Sequence, residues 1–130
     1  MRKPKIKVTI TKETIGYSAH TLAKNNFIAT EAETFEELLK NLLEAINFTF
    51  EDVGFAYSID EIQFSYDLES FFDFYKVINA KALSERIGMN QSLLAQYIKG
   101  IKKPSSTQIK KILMGVQQIG RELSEIQFIS

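Results

Sequence analysis

Residues 81–104, KALSERIGMNQSLLAQYIKGIKKP, constrain the fold more than any other stretch, because their apolar, glycine and amide positions interlock at fixed spacing. Leu83 and Ile87 stand one turn apart on an expected first helix. Met89 follows a turn, and Leu94 with Tyr97 or Ile98 lies on the inner face of a second helix. These positions close one small core. Gly88 falls where the chain leaves the first helix, in the left-handed backbone that a Cβ disfavours. Ser84 is small where the two helices cross, Asn90 reads as the N-cap of the second helix, and Gly100 ends it. The pattern is that of a helix-turn-helix.

On that second helix Gln91, Ser92, Ala95, Gln96 and Lys99 recur on one outward face. A short amide-rich face at a helix N-terminus suits base edges in a major groove, since Gln bonds adenine at two points and Ser serves either partner. Gln91, Ser92, Ala95 and Gln96 are therefore the expected base readers. Lys99, Lys102 and Lys103, with the helix starts at Asn79 and Asn90, are expected to meet phosphates. An isolated polar stripe is more often a solvated helix face. Here the glycine, the cap, the small residue and the apolar positions agree, which favours duplex DNA. The segment resembles the Xre and lambda-repressor class of helix-turn-helix domains, whose turn and first groove-reading residues Gly88-Met89-Asn90-Gln91-Ser92 would match.

The formal net charge of zero hides an asymmetry. Residues 1–78 hold eight Lys and Arg against thirteen Asp and Glu, a net of −5, whereas 79–130 hold eight against three, a net of +5. That division fits an acidic module that meets a protein and a basic one that meets phosphate, with salt weakening the second contact. A chain of 130 residues with 45% hydrophobic content can bury one core or two small ones. The start MRKPKIKVTI lacks the continuous apolar stretch of a cleavable leader, and no run reaches membrane-spanning length. Without Cys there is no disulfide framework, thiolate nucleophile or cysteine-based zinc site. A cytoplasmic protein without cofactor or metal is expected.

Along the chain, the alternation of residues 5–11 predicts a strand with Ile6, Val8 and Ile10 on one face, and 14–20 predicts a second, joined by a hairpin at Lys12-Glu13. Residues 27–30 predict a third. Thr34 with Glu37 makes a capping box for a helix whose Phe35, Leu38, Leu39, Leu42, Leu43, Ile46 and Phe50 cover the sheet. After a loop at 53–57, residues 61–67 predict a fourth strand. The expected order is β-β-β-α-β. An aromatic-rich helix over 67–78 then joins residues 1–66 to a helical domain over 79–130. From Ser105 or Ser106 a last helix is expected to close that domain with Ile109, Ile112, Leu113, Val116, Ile119 and Leu123. The alternating tail SEIQFIS predicts a short strand, either folded back or paired with a second subunit, which makes it a candidate dimer contact.

GYSAH followed by EAETFEELLKNLLEAI, then FSYDLESFFDFY, then INAKALSERIGMNQSLLAQYIKGIKKPS, resemble in that order the HicB-type antitoxins of toxin-antitoxin pairs, in the branch with an Xre-type C-terminal domain. The resemblance implies an α+β chain. Its N-terminal β-β-β-α-β module would be a truncated RNase H-like fold that covers the active site of a small RNA-cleaving toxin of the HicA type. Its C-terminal domain, dimeric or larger, would repress its own operon by binding double-stranded operator DNA. Two departures stand out: Glu31-Ala32-Glu33-Thr34 where the family more often has Gly-Asp-Thr, and LAKNN in place of a Pro/Gly-rich stretch. A nuclease would need carboxylates on the central strands, and the first strand supplies none. The single histidine, His20, is expected at a strand end without a catalytic partner. The rival reading is a stand-alone Xre-type regulator whose acidic module binds a ligand or a second subunit.

Overall fold

The computed structural model describes residues 2–130. It is an α+β structure of two compact units, one ending at Phe71 and the other spanning Phe72–Ser130. The division falls in the stretch expected to join the modules.

Unit 1 carries a four-stranded mixed sheet of β1 (Ile6–Lys12), β2 (Tyr17–Ala23), β3 (Asn26–Ala32) and β4 (Ile62–Tyr66), in the order β3-β2-β1-β4. β1 and β2, and β2 and β3, pair antiparallel, while β1 and β4 run parallel. The parallel pair needs a crossover, and α1 (Phe35–Phe50) lies within it. Thr34 caps α1 by accepting from the Glu37 amide at 3.2 Å, and Glu36 and Glu37 place negative charge at its positive end. Leu38, Leu42, Ile46 and Phe50 are buried, meeting Ile6, Val8, Ile10, Ala19 and Ile28 of the sheet in one core. Phe35, Leu39 and Leu43 are half-buried at its margin.

The strands are displaced from their expected positions. The β1–β2 connection takes residues 13–16, not Lys12-Glu13, so β2 starts at Tyr17 and runs three residues beyond the expected end. Gly16 is the reason. Its φ of +76° turns the chain, its carbonyl accepts from the Glu13 amide at 3.0 Å, and a Cβ on it would lie 2.2 Å from the Ala32 carbonyl oxygen. His20 consequently sits within β2, not at its end, stacked on Phe27 at 6.2 Å. β3 extends past 27–30 at both ends because every residue of Asn26–Ala32 finds a partner on β2. Glu61 falls outside β4 and closes a capping box on Ser58.

α2 (Leu68–Phe74) stops short of the expected helix over 67–78, and the Ile78 amide turns back onto the Tyr75 carbonyl at 2.9 Å. Phe71, Phe72, Phe74 and Tyr75 are half-buried. Unit 2 then holds α3 (Ala80–Ile87), α4 (Gln91–Ile98) and α5 (Ser106–Glu125). Ser105 caps α5, accepting from the Gln108 amide at 3.2 Å. Two expectations fail here. Residues 126–130 form no strand. Of the six aliphatic residues expected to close the domain from α5, only Ile112 is buried; Val116 and Ile119 are half-buried, and Ile109, Leu113 and Leu123 are exposed. At twenty residues α5 outreaches the eight-residue α3 against which Gly115 packs, so part of its apolar stripe has no neighbour within the unit. No helix among the described residues is long and apolar enough to cross a membrane.

Candidate nucleic-acid interface

α3, a three-residue turn and α4 are fixed by short-range devices. Asn79 caps α3, its Oδ1 accepting from the Ala82 amide at 3.0 Å, and Asn90 caps α4 in the same way from Leu93 at 3.1 Å. Between them Gly88 takes φ +68°, and the Met89 amide donates to the Ser84 carbonyl at 2.8 Å, which satisfies the open C-terminal end of α3. Leu83, Ser84, Met89, Leu94 and Tyr97 are buried, while Ile87 and Ile98 are half-buried, so Tyr97 is the inner residue of that pair. Ser84 Oγ donates to the Lys81 carbonyl at 2.6 Å and needs no further partner in the core.

The expected base-reading positions share one side of α4. Gln91, Ser92 and Gln96 are exposed, as is Lys99, which caps the helix. Ala95 is half-buried and stands between the outer and inner faces. The Ile101 and Lys102 amides both donate to the Gln96 carbonyl, at 3.0 and 3.3 Å. The chain therefore folds back beside the last turn of α4, where Lys99, Lys102 and Lys103 are all exposed. Asn79 and Asn90 are exposed too, with Oδ1 engaged in capping, so only their side-chain NH2 groups and the neighbouring first-turn amides are left for a ligand.

Electrostatics favour an anion at these helix starts. Neither α3 nor α4 has an acidic residue in its first turn, in contrast to α1. The positive end of each helix is thus not neutralised by its own side chains. The acids of α3 and α5 lie elsewhere. Glu122 bonds Arg86 at 2.8 Å, and that contact holds its carboxyl below the usual range and raises the guanidinium further.

No protein-family model, curated protein or solved structure matches this chain. Its chemistry is therefore read from its own residues. Among the described residues no three His, Cys, Asp or Glu side chains stand together in a way that could hold a metal ion. Two supporting residues escaped the reading of the sequence. Lys111 Nζ donates to the Gly88 carbonyl at 3.4 Å, tying α5 to the turn. Gly115 lets α5 approach α3, since a Cβ there would lie 2.4 Å from Ile87 Cγ2 and 3.3 Å from Leu83 Cδ1. Lys111 leaves no local signal and Gly115 shows only as a weak point in the last helix, because both act on partners more than twenty residues away.

Proposed function

We propose that the chain is a HicB-type antitoxin. Unit 2 binds operator duplex through a helix-turn-helix made of α3 and α4, and unit 1, as a truncated RNase H-like module, neutralises a small RNA-cleaving toxin of the HicA type. One observation carries the DNA half: Gln91, Ser92 and Gln96 stand exposed on a helix whose opposite face, Leu94 and Tyr97, is buried. A rigid helix presenting amides and a hydroxyl near its N-terminus offers two-point contact to adenine edges. Lys99, Lys102 and Lys103, exposed beyond its far end, would pair with backbone phosphates and add affinity without sequence preference. The antitoxin half is supported by the resemblance, by the β-β-β-α-β order with one helix on the sheet, and by the acids on the outside of unit 1. Glu36, Glu37, Glu44, Glu51 and Asp52 are exposed there, which suits a basic partner. The role is binding, not catalysis, with no cofactor, in the cytoplasm.

Duplexes selected from a random pool test the DNA half. Gln91→Ala should lose about 1–3 kcal/mol on the selected duplex and relax one base position. Lys102→Ala should weaken all duplexes alike and lessen the salt dependence. Equal affinity for every duplex, before and after Gln91→Ala, would sink base reading by α4. Co-expression with the product of the neighbouring reading frame tests the antitoxin half. A small basic ribonuclease recovered with the chain supports it. Operator binding without such a partner leaves a stand-alone Xre-type regulator.

A further inference from the structure

The sheet of unit 1 has two unlike faces. Ile6, Val8, Ile10, Ala19 and Ile28 turn to α1 on one of them. The alternate positions point the other way, and Lys7, His20, Leu22, Phe27, Ala29 and Glu31 are all exposed there. Leu22 and Phe27 are cross-strand partners, 71% and 70% exposed. The solvated face of an antiparallel pair is ordinarily polar, so a leucine and a phenylalanine side by side on it mark a contact surface.

The chemistry around them selects the occupant. The rings of His20 and Phe27 lie near-parallel, 29° apart in plane with centroids 6.2 Å apart. Together with Ser18, Ala29 and Glu31 they line a shallow depression. Flat rings beside a depression suit a nucleobase. Lys7 stands level with Leu22 by the Thr9–His20 register, and Lys24 lies in the turn after β2. Both lysines are exposed, and among the described residues neither pairs with an acid. Thr9 and Ser65, partners on β1 and β4, add hydroxyls to the same face. Glu31 is the one acid at its strand positions, and Glu13, in the turn before β2, accepts from Ser18 Oγ at 2.6 Å. Glu36, Glu37 and Glu44 belong to α1, on the opposite side of the sheet.

We infer that this open face binds single-stranded RNA, with one base lying on Phe27 and His20 and its edge turned to Glu31, while Lys7 and Lys24 hold phosphates. Glu31 then acts in base choice. A carboxylate only accepts, and guanine offers it two adjacent donors, N1–H and the 2-amino group, where uracil offers one between two carbonyls. The hydroxyls of Thr9 and Ser65 meet ribose 2′-OH groups, which distinguish RNA from DNA. Four strands about 4.8 Å apart make a platform about 14 Å wide, room for roughly two or three nucleotides. With so few contacts the binding is weak and falls as salt rises. The surface is distinct from α4 and from the acids assigned to a toxin, so the inference stands without either.

Fluorescence anisotropy of the full chain with a labelled uridine octamer carrying one central guanosine tests the surface. Phe27→Ala should weaken binding about fivefold or more. Lys7→Ala should weaken it and lessen its salt dependence. Glu31→Gln should remove the preference over an all-uridine octamer. All three side chains are exposed, so the thermal midpoint should not move. Lys102→Ala should leave octamer affinity unchanged, which separates this face from the basic unit 2. Octamer binding that Phe27→Ala and Lys7→Ala leave intact and Lys102→Ala abolishes overturns the inference, as does equal affinity for the deoxy octamer. So does an octamer that never binds while Phe27→Ala releases a co-expressed protein, which would make the face a protein interface. A failure of DNA reading appears as no duplex binding by wild type and leaves the octamer titration unaffected.

Discussion

Unit 1 and unit 2 are held together by different means. In unit 1 a sixteen-residue helix lies over the sheet, and Ile6, Val8, Ile10, Leu38, Leu42 and Ile46 are at most 1% exposed. In unit 2 only Ser84 and Leu94 reach the same degree, with Leu83 and Ile112 next at 2% and Met89 at 7%. What unit 2 lacks in apolar burial it makes up in backbone devices: the caps at Asn79, Asn90 and Ser105 and the left-handed Gly88. A small core of this kind is marginal by itself, so local errors there reach the whole unit. The surface we assign to DNA thus rests on far fewer side chains than the acidic unit does.

The largest effects should come from cutting each core at its centre. Leu42→Ala and Leu94→Ala each remove a side chain at most 1% exposed, and each should cost about 2–5 kcal/mol. Their consequences should differ. Leu94→Ala is expected to unfold unit 2 and abolish duplex binding while the amides of β1 and β2 stay protected from hydrogen exchange. Leu42→Ala should leave unit 1 folded but lower its urea midpoint. A single transition that moves all probes together in wild type and both variants would erase the contrast between two cores.

Glycines sharpen the comparison at smaller magnitude. Gly16 and Gly88 both have positive φ, +76° and +68°, yet only Gly16 is also hemmed in, by the Ala32 carbonyl. Gly88→Ala should therefore add backbone strain alone, about 1–2 kcal/mol, confined to unit 2. Gly16→Ala adds a clash with rigid backbone and should cost more, roughly 2–4 kcal/mol, in unit 1. Chemical denaturation followed separately in the two units would check the order, and equal losses would show that the β1–β2 turn can yield.

What could be read from the sequence follows the same divide. The α3–α4 region was legible nearly residue by residue, because its determinants lie within five positions of one another: Asn79 with Ala82, Ser84 with Met89 across Gly88, Asn90 with Leu93. The order of strands and the register of α1 were legible from alternation and the Thr34 cap. Strand ends were not. Gly16 is required by a carbonyl sixteen residues on, and β3 is as long as its pairing with β2 allows. α5 misled for a related reason. Its period shows which residues are apolar but not which arc meets α3, and the answer, set by Gly115 against Ile87, spans three helices.

The smallest effects concern one ion pair in each unit. Lys3 bonds Glu61 at 2.6 Å in unit 1, and Arg86 bonds Glu122 at 2.8 Å in unit 2. Each carboxyl is held below its usual value of 4.5, Glu61 by the Lys3 hydrogen bond first and the Ser58 amide second, Glu122 by Arg86 first and Gln118 second. A carboxylate depressed in the folded state binds its proton more readily when unfolded. Its contribution is therefore complete above the unfolded value and is lost as pH falls through the folded one. Both pairs are open to solvent, so each loss is small and shrinks with added salt. Glu61→Gln should flatten the acid dependence of the urea midpoint for unit 1 alone, and Glu122→Gln should do so for unit 2 alone. The second should be the easier to see, because the same increment weighs more on the smaller core. If Glu122→Gln left the unit 2 midpoint falling as steeply in acid as wild type, the contact between α3 and α5 would have to be assigned to Gly115, Ile87 and Ile112 without help from charge.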